Sequence, residues 1–213
     1  MSTSLPRIQR QNANRERILA AIREAAISAF DQHGFRGTST QDIATRAGLS
    51  KPQLHYYIVS KEALYQELLQ DVLQGWSAGF IFEERNSDRP ADVLRQYIRK
   101  KVDYALDFPA LSRIFTRELL DGGPNLGRYW PIALASINQK VAIIENWMRA
   151  GQIRRSDPRL LLINIWSMTQ HYADYDIQVR IMLGVAPGAP MDREPIVRSI
   201  TDMVLYCCGL VRD

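Results

Sequence analysis

The sequence contains no run of roughly eighteen or more uncharged apolar residues, the length that a membrane-spanning helix needs. Its longest apolar stretch, Leu160 to Trp166, is short and carries Asn164. The N-terminus is polar and basic without an apolar signal core, so a cytoplasmic protein with no membrane partner is expected. Cysteine is nearly absent. Cys207 and Cys208 are adjacent, where a bridge would strain the intervening peptide, and they read as buried, reduced helix residues rather than a disulfide framework. A glycine-rich phosphate loop and a nucleophile elbow are also missing, and only three histidines occur. That shortage of reactive side chains argues against an enzyme and gives no reason to expect a cofactor. Alternating strand patterns, internal repeats and low-complexity tracts are lacking as well, which leaves an all-α chain as the expected fold class.

The 213 residues, 46% hydrophobic and 23% charged, are enough for one large domain or a small domain joined to a larger one. The net charge of +4 is unevenly spread. Residues 1–61 hold nine Lys/Arg against four Asp/Glu, a net of +5, and the remainder carries −1. A polyanionic partner is therefore expected at the N-terminal end.

Residues 1–13 lack periodicity, carry Arg7 and Arg10, and read as a flexible basic arm. From Arg15 onward, Ile18, Ala21, Ile22, Ala25, Ala26, Ala29 and Phe30 recur at three- and four-residue steps, marking one buried helical face that Gly34 ends. Thr38 and Gln41 have capping-box spacing ahead of Ile43, Ala44 and Ala47, a short second helix that Gly48 closes. Ser50 and Gln53 repeat that spacing at the head of a third helix, Lys51 to Tyr57. Ser60 then caps a longer helix with Leu64, Leu68, Val72, Leu73, Trp76 and Phe80 on its apolar side, broken at Asn86 to Pro90. Helical patterns continue over Val93 to Asp107, Pro109 to Leu120, Pro124 or later to Ala150, Pro158 to about Leu183, and Pro195 to Val211. The expected domains are the arm 1–13, a three-helix helix-turn-helix domain 14–59, and a larger C-terminal helical domain 60–213.

Residues Gln41 to Tyr57 have the spacing of a helix-turn-helix, in which two short helices cross closely and the second offers its N-terminal half to a major groove. Ala44 sits on the inner face, where a larger side chain would push the helices apart, and Gly48 can adopt the left-handed conformation of the tight turn. Ile43, Ala47, Leu49 and Leu54 are expected to share a small core with Phe30 and Ile22. The outward positions then hold Thr40, Ser50, Lys51, Gln53, His55 and Tyr56, with Lys61 opening the next helix. Hydroxyls at helix starts suit phosphate oxygens, Lys51 suits guanine or phosphate, and Gln53 suits a bidentate pair with adenine. A solvated polar face on a small bundle is the plainer alternative, and the charge asymmetry favours double-stranded DNA over it.

The stretch Gly34-Phe35-x-Gly37-Thr38-Ser39-Thr40-x-x-Ile43-Ala44-x-x-Ala47-Gly48-Leu49-Ser50-Lys51-x-x-Leu54-x-Tyr56-Tyr57-x-x-Ser60-Lys61-Glu62-Ala63-Leu64 resembles the DNA-binding domain of TetR-family repressors. The resemblance implies operator contacts from Thr40, Ser50, Lys51, Gln53, His55, Tyr56 and Lys61. It also implies a homodimer on a palindromic operator, a C-terminal domain that binds a small-molecule effector, and association with the nucleoid when bound to DNA. Two positions depart from the usual pattern: Ile58 stands where an aromatic is common, and His55 where a tyrosine is.

In the C-terminal part, the last two helical patterns carry apolar residues on more than one face, among them Leu160, Ile163, Met168, Ile196, Ile200 and Met203. One face can serve the subunit core and another an isologous partner, setting two recognition helices roughly one DNA turn, about 34 Å, apart. Trp166 and Gln170, at i and i+4, pair an aromatic slab with an amide, and Trp76 can form the opposite wall of a pocket for a planar heterocycle. Both tryptophans as ordinary core is the alternative. Arg113-Ile114-Phe115 with Glu118-Leu119-Leu120, and Ile165-Trp166 with Thr169-Gln170-His171-Tyr172-Ala173-Asp174, resemble the pyrimidine-utilization (RutR-type) branch, which implies a pyrimidine base as effector. Thr116-Arg117 and Asp121-Gly122 depart from that branch, and Arg117 near the pocket favours an anionic ligand instead. His171, Asp174 and Asp176 share helix faces as metal ligands do, but no spacing supplies the further ligands a closed site needs, and no metal is expected. A constitutive DNA binder is the competing function; a cavity near Trp76 and Trp166 distinguishes the ligand-responsive protein from it.

Overall fold

The computed structural model describes residues 7–79, 82 and 89–210, and every regular element among them is an α-helix. The helices are α1 (Arg7–Gly37), α2 (Thr40–Arg46), α3 (Lys51–Tyr57), α4 (Lys61–Gly79) and α5 (Pro90–Asp107), followed by α6 (Pro109–Leu120), α7 (Trp130–Arg149), α8 (Pro158–Asp174), α9 (Asp176–Leu183) and α10 (Arg193–Cys207). They form two compact units, Met1–Gln70 and Asp71–Asp213, and the chain passes from one to the other within α4.

In the first unit, Ile22, Ala26, Ala29 and Phe30 of α1 are buried with Ile43 and Ala44 of α2 and Leu54 of α3. Phe30 meets Tyr65 of α4 edge-on at 4.9 Å, and Phe35 lies 4.8 Å from the same ring. Ala47 and Leu49, expected in this core, are only partly buried. Arg46 fastens α2 to α1: its guanidinium donates to Asp42 on its own helix and to Ser28 and Gln32 on α1.

Two local expectations change. The first helix begins at Arg7 rather than Arg15, so residues 7–13, read as part of a flexible arm, are helical, and only 1–6 lie outside the described residues. The reason is that Arg, Gln and Ala propagate a helix without a continuous apolar face once a longer amphipathic segment has nucleated it. Gly34 does break α1, with φ 66°. Thr38 is not the cap of α2. It is buried, and its hydroxyl donates to the carbonyls of Ala29 and Gly34 at 3.0 and 2.8 Å, satisfying orphan acceptors at the end of α1. Ser39 caps α2 instead, accepting from the Asp42 N–H.

In the second unit, α5 lies between α8 and α10, with Leu94, Ile98 and Val102 packed against Leu162, Ile165, Ile200 and Val204. Arg99 holds Glu194 of α10 with two 2.7 Å hydrogen bonds. The pattern expected to run from Pro158 to about Leu183 is two helices, because Tyr175 leaves helical geometry (φ −115°, ψ 33°). The helix expected from Pro124 or later starts at Trp130, and the one expected from Pro195 starts at Arg193, capped by Asp192. Phe80 and most of the Asn86 to Pro90 break lie outside the described residues. No helix among the described residues is long and apolar enough to cross a membrane.

Candidate functional site

The turn between α2 and α3 is closed by backbone geometry. Gly48 takes φ +70°, its N–H donates to Thr45 O at 3.1 Å, and Leu49 N–H donates to Ala44 O at 2.9 Å. This crossed pair needs a residue in the left-handed region, which glycine enters without strain. Ser50 then starts α3 with a complete capping box: its hydroxyl accepts from Gln53 N–H, and the Gln53 carboxamide oxygen accepts from Ser50 N–H at 2.8 Å.

With one turn buried through Leu54, the rest of α3 faces outward. Lys51, Gln53, His55 and Tyr56 are exposed, and Tyr56 keeps 76% of its surface although it touches Tyr57 edge-on at 5.1 Å. Thr40, the first residue of α2, is half-buried. Lys61 is placed differently from the expectation. Its ammonium donates to the carbonyls of Phe35 and Thr38, each at 2.9 Å, and lies 4.4 Å from the Phe35 ring centroid. A cation there offsets the partial negative charge of the carbonyls that end α1. Two of its three N–H donors therefore hold the frame of the module. The Gln53 oxygen is likewise engaged, which leaves the amide N–H groups to meet a partner.

The second unit contains a cavity of about 200 Å³ walled by Trp76, Phe115, Trp130 and Trp166 and reached by Gln170. Trp76 and Phe115 meet edge-on at 4.7 Å. The Trp166 indole N–H donates to the Tyr97 hydroxyl at 2.6 Å, and burial pushes the Tyr97 phenol up to about 12. The Trp76 indole nitrogen is buried and has no hydrogen-bond partner among the described residues. Gln170 donates to the Thr116 hydroxyl at 2.8 Å, and Thr116 in turn donates to Asp174, which also accepts from Ser112. Fixed by that chain, the Gln170 amide is oriented before any ligand arrives.

Two lysines line the same cavity. Lys101 of α5 and Lys140 of α7 keep only 7% and 6% of their surface. The Lys101 ammonium lies 4.8 Å from the Trp76 ring centroid, and that of Lys140 donates to the Ser136 hydroxyl at 2.8 Å. Burial, reinforced by Lys140, lowers the Lys101 ammonium to about 7, and burial lowers Lys140 as well.

The family model of bacterial regulatory proteins of the tetR family matches residues 22–68, and that of the YcdC-like protein C-terminal region matches residues 69–211. The chain belongs to the TetR family of bacterial transcriptional regulators. Within that family it is similar to the HTH-type transcriptional regulator RutR of Escherichia coli (strain K12), with 41% identity over 165 residues, 77% of each chain. It is 25% identical over 154 residues to the HTH-type transcriptional repressor NicS of Pseudomonas putida, covering 72% of this chain and 71% of that one. Among solved structures, a tetR-family regulatory protein from Rhodococcus RHA1 superposes with a TM-score of 0.74 at 20% identity over 92% of this chain and 98% of that one. The ketosteroid transcriptional regulator KstR2 of Mycobacterium tuberculosis gives 0.72 at 21% identity over 90% and 94%. At those identities the two structures show a common fold. The family and the named relatives are regulators of transcription, not enzymes.

In this TetR-family regulator the anticipated effector residues are brought together with one exception. Trp76, Trp166 and Gln170 share the cavity, whereas Arg117, half-buried on α6, is not among the residues that line it. The cationic groups that do line it, Lys101 and Lys140, were missed. Lys101 closes the run Arg99-Lys100-Lys101, which reads as a solvated face, and its sole signal is its register with Ile98, Val102 and Ala105 on the buried side of α5. His171, Asp174 and Asp176 have separate employments. His171 stacks on Tyr175 at 4.6 Å, Asp174 accepts from Ser112 and Thr116, and Asp176 pairs with Arg180 at 2.8 Å.

Proposed function

We propose that this protein is a ligand-responsive repressor that binds a palindromic operator as a homodimer in the cytoplasm and leaves it when a small planar effector occupies the second unit. The observation that carries the reading is the cavity that gathers Trp76, Trp166 and Gln170. A constitutive DNA binder has no need of an open space at that point, and its aromatic residues would pack on one another.

For the operator, exposed Lys51, His55 and Tyr56 are the leading contacts, with Ser50 and Thr40 at the helix starts and the basic segment 1–13 adding charge. Gln53 acts through its N–H donors on a base acceptor or phosphate rather than as a bidentate adenine partner, since its oxygen serves the Ser50 cap. Lys61 contributes through its remaining N–H and by holding the module's shape. For the dimer, α8, α9 and α10 expose Leu160, Ile163, Ile177, Ile181, Met182 and Met203, large apolar side chains that an isologous partner can cover. For the effector, an indole wall and a pre-oriented amide suit a single ring with amide-like edges, as in a pyrimidine.

Selection of bound fragments from a random DNA pool tests the reading. The expected product is an inverted repeat whose half-sites lie about one helical turn apart, and the dimeric mass persists in its absence. Enrichment of single, unpaired half-sites would contradict it.

A further inference from the structure

We propose that the effector cavity is built for a small planar anion, a six-membered ring bearing one carboxylate or an equally acidic group, whose charge is met jointly by Lys101 and Lys140. This rests on reading the cavity as the effector site and narrows it to a charge class.

Size limits the occupant first. An apolar cavity of roughly 150 Å³ holds one benzene, so about 200 Å³ accommodates one ring and one small substituent. Charge limits it next. Two lysines line the cavity from different helices, α5 and α7, and none of the described residues lining it is a carboxylate. Two buried cations beside one cavity repel each other, and burial deprives both of water. An anion between them relieves both effects. The other titratable groups fit this assignment. Asp174 on α8 favours the charged form of Lys101, against burial and Lys140, but its oxygens already accept from Ser112 and Thr116, and the Tyr97 phenol, at about 12, stays neutral. The Gln170 amide then remains for a polar edge of the ring, and the Trp76 and Trp166 side chains for its faces.

A proton accompanies the ligand. Burial and the neighbouring Lys140 lower the Lys101 ammonium to about 7, so it is partly neutral at physiological pH. A bound carboxylate favours its charged form, and binding above that value therefore requires uptake of one proton. Affinity falls by up to about tenfold per pH unit above pH 7.

The test uses the full chain, tryptophan fluorescence and titration calorimetry at about pH 6.5 and 8.5, with two matched pairs as probes: orotate with orotamide, and benzoate with benzamide. Each pair keeps the ring and removes the charge. The expected result is that at least one carboxylate binds tenfold or more tightly than its amide at pH 6.5. Its heat then depends on the buffer in the way that proton uptake demands, and most of the preference is lost by pH 8.5. Lys101→Met and Lys140→Met should each erase the preference of carboxylate over amide. Proton uptake by the unmodified protein decides the matter even where a variant fails to fold. Amides that bind as tightly as carboxylates at both pH values would overturn the anion assignment and leave the effector cavity standing. No response to any of the four would overturn the effector reading and the anion assignment together.

Discussion

In the unit 1–70 the informative polar side chains sit at helix ends and face water, whereas in the unit 71–213 they are carried inward on helix middles. Ser39, Ser50 and Gln53 satisfy backbone groups at the starts of α2 and α3, and Lys51, His55 and Tyr56 are exposed beside them. Lys101, Lys140 and Gln170 instead reach a cavity between apolar walls. The difference matches the two partners proposed above. A DNA duplex is large and already charged, so a groove-reading surface has to be exposed and rigid. A small ring has to be surrounded, and its selectivity comes from a few buried groups whose desolvation is repaid when it binds.

The largest perturbation compares the two cores. Leu54→Ala in α3 and Leu94→Ala in α5 each empty a fully buried site and should each cost about 2–5 kcal/mol in denaturant unfolding. If the division of labour holds, Leu54→Ala abolishes operator binding at temperatures where the Trp76 and Trp166 fluorescence is still native.

The next effect is pH-dependent. Lys101 binds its proton less tightly in the folded chain, near 7, than in the unfolded chain, near about 10.4, so the unfolded state holds more protons between those values. Stability without ligand should therefore rise with pH from about 7 to 10, Lys140 adding in the same direction. Lys101→Met should flatten that rise and raise the melting temperature at pH 7. An unchanged profile would mean that Lys101 is hydrated and does not face the cavity. The smallest effect belongs to the surface unit: Ser50→Ala removes one half of the capping box and should cost about 1 kcal/mol, visible as a lower denaturation midpoint.

The same contrast explains what was legible in the sequence. Helix caps and turns are local, so Gly34, Gly48 and the Ser50–Gln53 pair were readable from spacing of a few residues. Even there, two adjacent hydroxyl residues competed for one role, and Thr38 went to the end of α1 while Ser39 took the cap. Trp166 and Gln170 were paired by helix periodicity, and Trp76 joined them because the cavity needed a second wall. The two lysines were not legible, because a cavity drawing on residues 73 to 170 depends on which faces of α5 and α7 turn inward. Arg117 shows the converse: being near the right residues in sequence did not place it in the cavity lining.

Operator affinity compared between two variants tests the division of labour most directly. On an operator taken from the selected pool, Lys51→Ala/Tyr56→Ala should lose tenfold or more in affinity with unchanged melting behaviour and a shallower salt dependence. Trp166→Ala should bind that operator as the parent does. Operator binding that survives the first change and disappears with the second would contradict the account.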